Sequence, residues 1–341
     1  MIIWRFYILD RKKEIMKLIN LALKFKDEYE LIFINGNKKY TEAASGYLEE
    51  EEMKELDFAF SNCTNSYYFY NNPSTFIGDI FLNKIKLKKK FRFLYSTAQI
   101  GLDINRRSFI PNFAELHNIH LLTSDSYSLS LLQDKYKYYK LSEQFCNIPK
   151  TTIYNPKTIL PLDLKSFKSY IIKPNIECSA RGVQLVSNLK DLPQKLEATF
   201  EIYNQDILIQ EYIEGTEIGV PVLVTKNGAI ALNPIQVSKS SDYLSKIEVD
   251  NEEYTFTSFD NLVTPKIMKA AENIINQLNC SGLCRVDFIV KDDGSFWLFD
   301  MAALPVFSSH TTCDTAFKFM FPNQPFAIYY AIIGAALESL V

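Results

Sequence analysis

Hydrophobic and polar positions are most sharply ordered over residues 284–312. Apolar runs at 286–290 and 296–299 flank Asp292-Asp293-Gly294, and an Asp-Gly between such runs predicts a β-hairpin. Asp287 interrupts the first run and Asp300 ends the second, so pairing across the turn brings two carboxylates to neighbouring positions on one face. Like charges that close call for a cation, and a hard ion such as Mg²⁺, held by one or two carboxylates plus substrate phosphates, answers that call. Alternation along the strand puts Arg285 on the side of Asp287, where its guanidinium can fork onto an oxyanion. The same Arg-x-Asp spacing also reads as an internal ion pair.

Upstream, residues 2–9 read as a strand, after which Asp10 caps a helix with Ile15, Leu18, Ile19 and Ala22 on one face. Residues 30–35 predict a second strand, 41–56 a helix, and 58–63 and 91–95 further strands. That βαβ alternation implies a mainly parallel sheet. A helix over 111–117 and a short strand over 119–122 follow, with a domain boundary near 122. Asp125 or Ser126 then caps a helix running to about 146. A strand at 168–173 leads into the small-residue loop 174–183, whose backbone amides can face an anion. Next come a helix at 192–203, an apolar strand at 206–213, and a hairpin turning at Asn227-Gly228 between 218–224 and 229–237. Residues 238–253 are polar and aperiodic, the mark of a functional loop. Thr264-Pro265 opens a helix to 278, and the apolar run 326–337 predicts a buried closing helix too short to span a bilayer. The tyrosine-rich stretches at 66–70 and 136–139 read as packing.

Composition narrows the class. The 341 residues are 47% hydrophobic and 23% charged, as in a globular protein with room for two or three domains. A net charge of −3 gives no electrostatic case for nucleic acid, and the locally basic segment 84–90 reads as a solvated face. Six scattered cysteines without a CxxC pair imply reduced thiols and a cytoplasmic setting. The apolar N-terminus is short and contains Arg5, so no signal peptide and no membrane association are expected.

In order, the chain carries Asp134-Lys135, Lys173-Pro174 before the loop, an apolar strand closing in Gln210 to Glu217, and the Arg285-Val286-Asp287 hairpin ending in Asp300. From about residue 100 onward this order resembles the ATP-grasp superfamily, and within it the D-alanine–D-alanine ligase-like group. The resemblance implies an α/β (α+β) protein with an ATP-grasp fold. Its expected parts are a Rossmann-like βαβ domain (1–122), a central subdomain (123–210), and a C-terminal subdomain with the metal and substrate site (211–341). By the same resemblance, Lys135 and Lys173 hold nucleotide phosphates, and Glu177, Cys178 and Ser179 match a phosphate flap in which Ser179 lies nearest the substrates. Gln210, Glu211, Tyr212 and Ile213 match the adenine hinge, and Glu217 the ribose-binding acid. Lys246 reaches the terminal phosphate, Arg285 steadies an oxyanion, and Asp287 and Asp300 bind magnesium.

The implied activity is ATP-dependent carboxylate–amine ligation through an acyl phosphate, with ATP and Mg²⁺ as cofactors. The implied partners are a small carboxylate and an amine of amino-acid or peptide type, and a homodimer like related ligases. Several positions depart from the family. Asp300-Met301-Ala302 stands in place of Glu-x-Asn, Cys178 and Val306 in place of glycines, and Ile247 in place of a tyrosine. The N-terminal glycine-rich segment with its substrate-binding acid has no counterpart. These departures leave open an alternative, a nucleotide-binding protein that has lost its chemistry.

Overall fold

In the computed structural model, which describes residues 2–36, 48–101, 103–157, 168–239 and 254–341, the chain opens with a helix, α1 (Ile2–Lys24). The strand expected over 2–9 does not form. A short apolar run cannot be told from buried helix by its period, and the helix that carries the buried stripe of Ile15, Leu18, Ile19 and Ala22 runs back past Asp10 to Ile2.

After α1 come β1 (Tyr29–Ile34), α2 (Glu50–Cys63), β2 (Tyr67–Tyr70), α3 (Pro73–Phe81), β3 (Phe91–Ser96), α4 (Phe109–Leu116) and β4 (His120–Leu121). The four strands make a wholly parallel sheet in the order β2-β1-β3-β4, as the βαβ alternation predicts. Residues 58–63, expected as a strand, instead complete α2, because Leu56, Ala59, Phe60 and Cys63 bury one helical face. The strand lies just beyond, in the aromatic stretch Tyr67–Tyr70. Of the helix expected over 41–56, residues 41–47 lie outside the described residues.

The single helix expected up to residue 146 is two. Asp125 caps α5 (Ser126–Leu131) by accepting from the Ser128 amide at 2.7 Å, and Asp134 caps α6 (Lys135–Ser142) by accepting from the Lys137 amide at 3.1 Å. Then follow β5 (Thr151–Tyr154), β6 (Tyr170–Pro174), β7 (Gln184–Val186), α7 (Leu192–Tyr203) and β8 (Ile207–Glu211), whose strands form an antiparallel sheet ordered β5-β8-β6-β7.

The remainder comprises β9 (Thr216–Thr225), β10 (Gly228–Ala231), β11 (Ile235–Lys239), β12 (Tyr254–Ser258), α8 (Thr264–Gln277), β13 (Leu283–Val290), β14 (Phe296–Ala302), α9 (Thr312–Met320) and α10 (Ala327–Glu338). Its sheet runs β12-β11-β9-β13-β14, with β10 also on β9. The return arm of the Asn227-Gly228 hairpin is thus divided between β10 and β11. Residues 240–253, most of the polar loop, lie outside the described residues.

Two packings hold this frame. Ile267, Ala271, Ile274 and Ile275 of α8 are buried in one cluster with Val220, Val222, Val286 and Phe288 of β9 and β13. The closing helix α10 is buried as predicted and lies against α1, where a Cβ at Gly334 would come 2.0 Å from the Leu18 carbonyl oxygen. Among the described residues, no helix is long and apolar enough to cross a membrane.

Candidate active site

The β13–β14 hairpin pairs Asp287 directly opposite Asp300, and immediately beyond them the register slips so that Phe288 opposes Leu298. Phe299 is the extra residue of this bulge, and a bulged residue leaves the ladder. Its carbonyl oxygen accepts from the Lys173 ammonium at 3.1 Å and from the Tyr139 hydroxyl. Lys173, near the end of β6, also donates to the Tyr139 oxygen at 2.8 Å. From the first position of α6, Lys135 Nζ reaches Asp300 Oδ1 at 3.3 Å. The same oxygen accepts from the Tyr138 hydroxyl at 2.7 Å and the Met301 amide at 3.0 Å. Asp300 Oδ2 is left without a partner among the described residues.

The electrostatics follow from this arrangement. Burial pushes the Asp300 carboxyl up, but Lys135, Lys173 and the Tyr138 hydroxyl outweigh it and hold the group down at about 2. Burial brings Lys173 down to about 7; repulsion from Lys135 adds to it and attraction to Asp300 only partly offsets it. Burial likewise keeps the Tyr138 and Tyr139 phenols protonated. Asp287 is clasped by Arg285, with Nε 2.8 Å from Oδ1 and NH2 2.8 Å from Oδ2. Burial nonetheless raises its carboxyl to about 6, against Arg285 and with help from Asp300 and Glu217. The ion-pair reading of Arg-x-Asp holds: the pair forms through the Nε–NH2 edge, and NH1 makes no hydrogen bond among the described residues.

Room for this pair comes from β9. Gly219 lies opposite Asp287, and a Cβ there would stand 3.2 Å from Asp287 Oδ1 and 2.6 Å from Thr312 Cγ2.

The loop after β6 turns through Ser179, Ala180 and Gly182, with φ of +55°, +54° and +69°. Ser179 is exposed at its tip. Glu177 at its root is buried, 3.4 Å from Arg106 NH1 and accepting from Gln205 Nε2 at 3.1 Å. Cys178 Sγ accepts from Arg107 NH2 at 3.5 Å.

On β8, Gln210 is paired on both sides and donates from Nε2 to Thr151 Oγ1 at 2.9 Å. The Glu211 and Tyr212 amides donate to the Lys150 and Ser169 carbonyls at 2.8 and 3.2 Å. Among the described residues, the Ile213 amide has no acceptor. Glu217 forms a largely buried ion pair with Lys239 at 2.8 Å. Lys246 lies outside the described residues.

The structure thus joins Lys135, Lys173, Asp300, Asp287 and Arg285 in one constellation. It adds Tyr138 and Tyr139, which the sequence presents as packing residues. They lie three and four positions after Lys135, on its face of α6, and that spacing was the available signal. Arg106 and Lys239, the partners of Glu177 and Glu217, carry no such signal, because their contacts cross between segments far apart in the chain.

A family model described as "D-ala D-ala ligase C-terminus" matches residues 163–320. The chain is similar to the D-alanine–D-alanine ligase of Petrotoga mobilis, 28% identical over 64% of this chain and 71% of that protein. It is also similar to the one from an Anaeromyxobacter species, 34% identical over 40% of this chain but only 44% of that protein. In fold it is similar to the D-alanine–D-alanine ligase of Bacillus anthracis solved with ATP, with a TM-score of 0.71 and 17% identity over 91% of this chain and 98% of that one. The VanG D-Ala:D-Ser ligase of Enterococcus faecalis follows with a TM-score of 0.66 and 16% identity over 92% of this chain and 100% of that one.

Proposed function

Because the chain belongs to the D-alanine–D-alanine ligase-like group of the ATP-grasp superfamily, ATP-dependent ligases that form carbon–nitrogen bonds, we propose that its cleft joins a small carboxylate to an amine of amino-acid or peptide type, with ATP and Mg²⁺. The reading is supported above all by the convergence of Lys135 and Lys173 on Asp300, directly beside Asp287.

In this reading a substrate carboxylate oxygen attacks the terminal phosphorus of ATP and ADP leaves. The amine nitrogen then attacks the acyl carbon, losing a proton, and phosphate departs. Lys135 and Lys173 bind the phosphate oxygens as ammonium groups, and Lys246 reaches the terminal one. The Ile213 amide takes an adenine ring nitrogen on the hinge formed with Gln210, Glu211 and Tyr212. Glu217 takes the ribose hydroxyls, Glu177 and Cys178 anchor the flap, and Ser179 at its tip faces substrate. Arg285 NH1 steadies the oxyanion of the reacting carboxylate. Preorganised charges of this kind carry most of the catalysis in such transfers.

The metal assignment fits what is present. Asp300 Oδ2 has no partner among the described residues, and Asp287 faces Asp300 across the hairpin. Among the described residues no three His, Cys, Asp or Glu side chains cluster, which suits an ion that takes most of its oxygens from phosphate and water. When bound, magnesium would supply neutralisation of the phosphoryl oxygens. The division at residues 122 and 210, a cytoplasmic location and a homodimer belong to the same proposal. The relatives lend no support to a protein without chemistry.

The test is ADP and phosphate release against a panel of amino acids and short peptides, with and without Lys173→Ala. Substrate-dependent release that the variant loses is the expected result. A folded, Mg-ATP-binding preparation with no substrate-dependent release would refute the reading.

A further inference from the structure

Two consecutive arginines stand at the root of the flap, and only one of them is matched. Arg106 is fully buried, with Nε on Gln99 Oε1 at 2.8 Å, NH1 3.4 Å from Glu177 and NH2 on the Ile176 carbonyl at 2.8 Å. Among the described residues, Arg107 NH2 meets only the Cys178 sulfur at 3.5 Å, and Arg107 Nε is buried without an acceptor. Thiol sulfur is a weak acceptor, and a guanidinium offers five donors. A cation so poorly matched calls for an acceptor.

Its contact with Cys178 places it beside the loop that follows β6. On one side is Cys178, next to the exposed flap residue Ser179. On the other, Tyr95 lies within electrostatic reach of Arg107 and of Cys313, and Cys313 within reach of Arg285 and Asp287. The nearby acid Glu52 already accepts from the Glu49 amide at 2.8 Å and the Ser308 hydroxyl at 3.4 Å. Nε is closed off from solvent, whereas NH1 makes no hydrogen bond among the described residues and is open to solvent, so the NH1–NH2 end is the fork that fits a carboxylate with two parallel bonds.

We propose that Arg107 receives a non-reacting carboxylate of one of the two substrates, so that the ligase acts on an acidic amino acid or an acidic peptide. This rests on the ligase reading and narrows it.

The test compares matched pairs, aspartate and glutamate (free or terminal in a dipeptide) against their side-chain amides. For each, KM is measured by ADP release and Kd by titration in the presence of Mg-ADP. The wild-type protein should favour the acid over its amide by roughly tenfold or more. Arg107→Gln should bring that ratio close to one, and Arg107→Lys should keep part of it. A purely structural role would weaken acid and amide alike and leave the ratio unchanged, which would overturn the proposal. So would a wild-type ratio near one in both measurements. Absence of ADP release together with Arg107-dependent acid binding would refute the ligase reading but keep this one.

Discussion

Asp287 and Asp300 face each other across one rung of the β13–β14 hairpin, yet Asp300 is held down at about 2 and Asp287 raised to about 6. Both are lifted by burial. The difference comes from their partners, because Asp300 answers two lysines and a phenol while Asp287 answers one arginine and feels Asp300 and Glu217 as like charges. One carboxylate is therefore permanently ionised at neutral pH and balances the lysines. The other titrates within reach of physiological conditions.

Asp300→Asn removes the charge that balances Lys135 and Lys173. ADP release should fall by roughly 10²–10³ in kcat/KM, the size expected when a preorganised charge is removed. The apo protein should lose about 1–2 kcal/mol in urea unfolding, less than a fully buried pair because Asp300 is partly exposed. Unchanged kcat/KM would remove Asp300 from the machinery.

The site titrates in opposite senses on its two sides. Lys173 is depressed from 10.5 to about 7, so its contribution to stability is fully present above about 10.5 and is lost as pH falls through 7. Asp287 is raised from 3.8 to about 6, so its contribution is fully present below about 4 and is lost as pH rises through 6. Between pH 6 and 7 both are charged, and the apo site contributes least. Relative to Lys173→Met, the wild-type urea midpoint should rise between pH 7 and 10, and a flat difference would contradict the assignment.

In the proposed function, Lys173 binds nucleotide phosphate in its charged form. Mg-ATP binding at pH 8 should therefore take up protons, seen as a buffer-dependent calorimetric heat, and affinity should weaken as pH climbs above 7. Lys173→Met should abolish the proton uptake.

Tyr139→Phe deletes the hydroxyl shared by Lys173 and the Phe299 carbonyl. A loss of about 1–3 kcal/mol in urea unfolding is expected, with a higher KM for ATP. Tyr138→Phe, which removes one of the three donors to Asp300 Oδ1, should instead raise the pH at which the acid limb of activity begins.

Gly219→Ala places a methyl against Thr312 Cγ2 and Asp287 Oδ1. Destabilisation of about 1–3 kcal/mol is expected from the overpacking. Thr312→Ser, which deletes the nearer of the two clashing atoms, should restore part of it in the double variant. A double variant no more stable than Gly219→Ala would show that the methyl is accommodated elsewhere.

Much of this was readable from local pattern. The alternation around Asp292-Asp293-Gly294 determined the hairpin and with it that Asp287 and Asp300 lie at neighbouring positions, and the helical stripe of Ile15, Leu18, Ile19 and Ala22 determined the buried face of α1. These are short-range consequences of backbone period and turn chemistry, which a linear sequence carries directly. Only the folded chain decided that residues 2–9 continue a helix, that residues 58–63 end one, and that Tyr138 and Tyr139 serve the site. It also decided that a bulge at Phe299 sets Asp287 opposite Asp300 and turns the Phe299 carbonyl to Lys173, and that Arg107 Nε has no acceptor among the described residues. In each case the outcome depends on which distant segment packs against the residue, and local periodicity holds no record of that contact.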